Sequence, residues 1–150
     1  MKFKFSLEKV LQHRKILENL AQRDFQEAQA VLTHNEEILN SLKNQMTQSF
    51  EESFKTQHGS GQTSEQLKTI HDFMLGQKVR IQRQEAKIQE IRKLVEEKRE
   101  ILREKATDYK IIERLREKKK AEWLEEMKKK EQKELDDISV LRKVYRDKQQ

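Results

Sequence analysis

The stretch LKTIHDFMLGQKVRIQRQEAKIQEIRKLVEEKREILREKATDYKII, residues 67–112, decides the fold. Steps of seven from Leu67 reach Met74, Ile81, Ile88, Val95, Leu102 and Tyr109 without a break. A second seam, three residues on, supplies Ile70, Ile91 and Ile112 but also Gln77, Gln84, Lys98 and Lys105. Two seams sustained over several heptads place one apolar stripe along an α-helix, and such a stripe is stable only when a second helix covers it. The polar residues of the second seam fix register at a cost in stability, so the pattern predicts a modestly stable coiled coil.

The covering helix lies on the N-terminal side. Leu17, Ala21, Phe25, Ala28, Leu32, Leu39, Leu42, Met46, Phe50 and Phe54 follow one another in steps of three and four, broken at Asn35. Between the two stripes stands the single polar, glycine-containing break, His58-Gly59-Ser60-Gly61-Gln62-Thr63-Ser64. Ser6, with Phe5 and Val10 placed as a hydrophobic staple, and Thr63-Ser64-Glu65-Gln66, a capping-box pattern, mark the two helix starts. The expected layout is one coiled-coil domain over 1–150: helix 1 at about 6–57, a tip loop at about 58–63, helix 2 at about 64–147. Gly76 falls inside the second helix, where it costs about 1 kcal/mol relative to Ala.

Folding back at the glycine loop pairs residues whose numbers sum to about 120, a register suggested by matching the two stripes. Met46 then lies beside Met74, Leu39 beside Ile81, Leu32 beside Ile88, Phe25 beside Val95 and Leu11 beside Tyr109. The fold class is therefore all-α: a long two-helix antiparallel coiled-coil hairpin with a C-terminal helical overhang. At about 1.5 Å per residue, helix 2 extends roughly 30 residues past its partner. That overhang carries Trp123, Leu124, Met127, Leu135, Ile138, Leu141, Val144 and Tyr145, for which the chain supplies no second helix. An uncovered apolar stripe marks a surface for a partner.

Composition removes most other function classes. The 150 residues are 33% hydrophobic and 40% charged, with no Pro, no Cys and three Gly, too little apolar material to fill a compact enzyme core. Without cysteine there are no disulfides, thiolate metal sites or thiol nucleophiles. His13, His34, His58 and His71 are never three or four apart, so no helical pair chelates a metal, and no P-loop lysine follows the glycines. Neither a cofactor nor a metal is expected. No apolar run is long enough to span a bilayer, which predicts a cytoplasmic protein without direct membrane insertion.

The net charge of +6 belongs wholly to residues 58–150, because residues 1–57 hold eight basic and eight acidic side chains. Arg116-Glu117-Lys118-Lys119-Lys120 and Lys128-Lys129-Lys130 suit an acidic protein surface. Aromatics do not alternate with the basic residues, so nucleic-acid binding is not expected.

Both ends of the chain also resemble a known family. Phe3-Lys4-Phe5-Ser6-Leu7-Glu8-Lys9-Val10-Leu11-Gln12-His13-Arg14 and Lys130-Glu131-Gln132-Lys133-Glu134-Leu135-Asp136-Asp137-Ile138 are similar to the opening and closing motifs of the FliJ family of flagellar type III export proteins. The resemblance implies a non-enzymatic stalk that binds and promotes a hexameric export ATPase and couples it to the cytoplasmic domain of the membrane export gate. Contact with export chaperones and peripheral association with the inner face of the cell membrane would follow.

Taken with the overhang, it assigns ATPase binding to Trp123, Met127, Lys133, Leu135, Asp136, Asp137 and Ile138. The family's Tyr-Gln-x-Phe-Ile/Val-x-x-Leu stretch, linked to gate contact, corresponds to Ile70-His71-Asp72-Phe73-Met74-Leu75-Gly76-Gln77, which carries over Phe73. A generic coiled-coil scaffold and a stalk of a non-flagellar type III system would show the same heptads.

Overall fold

The computed structural model describes residues 2–58 and 64–150. Two helices, α1 (Glu8–His58) and α2 (Ser64–Lys148), pack against each other as an all-α hairpin. Among the described residues there is no strand. Most of the expected tip loop and Thr63 of the capping-box pattern lie outside the described residues.

The chain enters α1 through a turn in which the Glu8 N–H donates to the Phe5 carbonyl at 3.2 Å and the Leu11 N–H to the Leu7 carbonyl at 2.9 Å. Ser6 therefore sits in the entry turn rather than at the cap, and the helix starts at Glu8, an acidic residue in the first turn, where the helix dipole favours negative charge. Val10, the expected staple partner of Phe5, is exposed.

Packing divides the chain into two compact units, Asn19–Arg103 and Met1–Glu18 with Glu104–Gln150. In the first, Ala28, Ile91 and Val95 form a buried cluster against which Phe25 and Leu32 pack, and Ala21 and Ile88 are buried as well. Phe25 and Val95 thus share one cluster, as the register of 120 requires. Toward the tip the core is polar: Gln77 is 1% exposed and Asn35 4%. Burial of an amide is tolerated only when its hydrogen bonds are made, and here they are. Gln77 Nε2 donates to the Leu42 carbonyl (3.0 Å) and to Gln45 Oε1 (2.9 Å), while its Oε1 accepts from Arg80 (2.9 Å). Gln84 Nε2 donates to the Asn35 carbonyl and to Asn35 Oδ1, each at 3.0 Å, and Asn35 Nδ2 donates to the Val31 carbonyl at 2.8 Å.

In the second unit Leu11 and Ile112 are buried. Arg14 Nη1 donates to the Asp108 carbonyl at 2.8 Å, and Arg116 pairs with Glu8 at 3.1 Å. The Tyr109 ring, expected beside Leu11, carries the Lys15 ammonium 4.7 Å from its centroid. The residue numbers of these pairs sum to 122–124, against 119 for Gln84–Asn35 and Gln77–Leu42.

Candidate functional site

Of the residues singled out in the sequence, Trp123 departs most from expectation. Its indole meets the Phe3 ring, with centroids 6.0 Å apart and planes inclined at 52°. Phe3, Lys4, Phe5 and Ser6 line a groove together with Lys119, Glu122, Trp123 and Glu126. The non-helical segment before α1 is thus a strap laid over α2, and the uncovered part of α2 begins beyond Glu126 rather than before Trp123. The stripe is not bare at Trp123 because a non-helical segment, which has no helical period, covers it.

From Lys128 to Gln150 every residue is exposed. Leu135 is 60% exposed, Ile138 48%, Leu141 67% and Tyr145 68%, although all four are apolar or aromatic and lie three or four apart. Ile138, Leu141 and Tyr145 line a shallow groove whose other walls are Arg142, Arg146 and Gln149. Lys133 and Asp137 are exposed near the start of this stretch, and Asp136 accepts a hydrogen bond from Gln132 at 3.1 Å. The helix here is supported only locally, by pairs such as Lys129–Glu125 at 3.5 Å, each worth about 0.2–0.5 kcal/mol. Met127 is half-buried and marks where the covered part of α2 ends.

Leu141, Arg142, Tyr145 and Arg146 extend the surface beyond the residues that the closing motif pointed to. Their signal in the sequence is the continued three-four spacing from Ile138 to Tyr145.

Phe73 belongs to the unit Asn19–Arg103 and is 40% exposed. It lies three residues before Gly76 and seven before Arg80, whose guanidinium is held by Gln77. Among the described residues no group of three His, Asp or Glu could hold a metal ion, and no helix is long and apolar enough to cross a membrane.

A family model described as the flagellar FliJ protein matches residues 3–148. The chain belongs to the FliJ family. The match spans the strap, both helices and the exposed end of α2. FliJ proteins are non-catalytic components of flagellar protein export, so this chain is a flagellar export protein built as a helical hairpin. Neither a curated protein nor a solved structure matches it.

Proposed function

We propose that the protein is a non-enzymatic stalk that binds the hexameric export ATPase through the exposed end of α2, promotes ring assembly and turnover, and couples the ring to the cytoplasmic domain of the export gate through the region around Phe73. The observation that carries this reading is the run of exposed apolar residues Leu135, Ile138, Leu141 and Tyr145 on a helix with no covering segment among the described residues, in a FliJ-family chain. Burying such side chains is worth roughly 1.5–3 kcal/mol each before association costs, enough for specific binding. Arg142, Arg146 and the lysines at 128–130 steer the same end toward an acidic partner surface.

Within this reading Leu135 and Ile138 are the anchors, while Lys133, Asp136 and Asp137 set orientation. Met127 lies at the edge of the contact. Trp123 joins it only if the strap moves. Export chaperones are a second class of partner, and the apparatus holds the protein peripherally at the cytoplasmic face of the membrane.

The test mixes the export ATPase with the full chain and with a Leu135→Asp/Ile138→Asp variant, then measures hexamer formation and ATP turnover. Stimulation by the full chain and its loss in the variant, with helix content unchanged, supports the reading. Equal stimulation by both removes this surface from the contact. No stimulation by either would leave a passive coiled-coil spacer.

A further inference from the structure

Two sets of contacts in the unit Asn19–Arg103 repeat one heptad apart on both helices. Gln77 and Gln84 donate to the carbonyls of Leu42 and Asn35 respectively, so the buried amide contact recurs seven residues on in each strand of the hairpin. On the flank, Lys43 pairs with Glu85 at 3.6 Å and Arg92 with Glu36 at 3.4 Å, again displaced by seven on both helices. The first set has residue numbers summing to 119 and the second to 128.

Repetition at the heptad spacing matters because a coiled coil slips by whole heptads: apolar stripes remain in contact after such a slip, and only polar residues resist it. Moving one helix by seven residues in one direction places Lys43 opposite Arg92, Ile91 opposite buried Asn35, and Lys98 opposite buried Ala28. Moving it the other way places Glu36 opposite Glu85, Lys43 opposite Lys78, and Gln84 opposite Ala28. The first slip leaves Asn35 without an amide partner and sets Lys43 against Arg92, although Glu36 then meets Arg99; the second brings Gln77 opposite Asn35, which keeps an amide partner there, and is opposed by the two like-charge contacts on the flank.

We propose that the Asn35–Gln84 and Gln77–Leu42 amide contacts, with the Lys43–Glu85 and Glu36–Arg92 flank pairs, form a register lock that selects one alignment of the hairpin from the heptad-related set. The Gln77 and Gln84 amides reach helix carbonyls, acceptors present at every position, so discrimination comes from Asn35 in the first slip and from the flank charges in both.

The chain has no cysteine, so introduced pairs report alignment directly. Three full-length reporters are oxidised at high dilution: Ala28→Cys with Ile91→Cys for the native register, Ala28→Cys with Lys98→Cys for one slip, and Ala21→Cys with Ile91→Cys for the other. In the otherwise unaltered chain only the native reporter should form an intramolecular disulfide rapidly. With Asn35→Leu, Gln77→Leu and Gln84→Leu added and the charges of positions 43 and 85 exchanged, all three should form at rates within about threefold, while circular dichroism stays helical.

The exchange alone, which keeps every buried contact and the native ion pair, should raise the slipped disulfides on the order of tenfold, since it removes the like-charge opposition at position 43 in both slips. If only the native reporter closes in the exchanged chain and in the fully substituted one, the register is set elsewhere and the lock is overturned. Rapid closure of the slipped reporters without any of these substitutions would overturn it equally.

Discussion

Between Asn19 and Arg103 the two helices satisfy each other: apolar residues cluster around Val95, buried amides find carbonyls across the interface, and flank charges pair. From Lys128 to Gln150 the same α2 helix has no buried residue, yet it keeps apolar side chains at the same three-four spacing. A stripe that is spent internally in one region and left uncovered in another shows that periodicity alone does not distinguish a core from a docking face. What distinguishes them is whether the chain supplies a second segment. The region around Trp123 is intermediate, since a non-helical strap rather than a helix covers it.

The sharpest way to break this contrast is to truncate one apolar side chain in each region. Ile88→Ala, at a position 2% exposed, should lower unfolding free energy by about 2–4 kcal/mol in urea titrations, through lost transfer energy and the cavity left behind. Leu141→Ala, at 67% exposure, should change it by less than about 0.5 kcal/mol. Similar losses at both positions would mean that the end of α2 is covered in solution.

Amide satisfaction in the core comes next. Gln84→Ala removes the donor to Asn35 and leaves a buried amide oxygen without that partner, which should cost about 1–3 kcal/mol in the same titration.

The strap should weigh less. Phe3→Ala should lower stability by about 1 kcal/mol, the scale of one aromatic pair, and shift the emission of Trp123, the sole tryptophan, to the red as water reaches the indole. Unchanged emission would show that the ring contact is not held in solution.

The smallest effect has the opposite sign. A Cβ at Gly76 would meet the Arg80 guanidinium at 3.8 Å, an ordinary contact, so Gly76→Ala should stabilise the helix by about 0.5–1 kcal/mol.

The hairpin and its register of about 120 were legible because two independent stripes had to match at one offset, and Gln84–Asn35 and the Phe25–Val95 cluster follow that offset. The strap was not, because Phe3 and Phe5 precede the helix and a non-helical segment leaves no periodic trace. Gln77 and Gln84 could be recognised as polar seam residues, but one acceptor of each is a backbone carbonyl, which a side-chain pattern does not display. At the candidate site, Leu135 and Ile138 were readable from the closing motif and the spacing. The contact of Trp123 with Phe3 was not legible because it depends on how the chain enters α1.

Hydrogen exchange along α2, measured with and without the export ATPase, tests the central claim most directly. A helix without tertiary cover is marginal in water, so amides at 128–148 should exchange within seconds while those around Ile88, Ile91 and Val95 remain protected. Adding the ATPase should protect 128–148 and leave the hairpin unchanged. Protection of 128–148 in the protein alone, or no gain on adding the ATPase, would contradict the account.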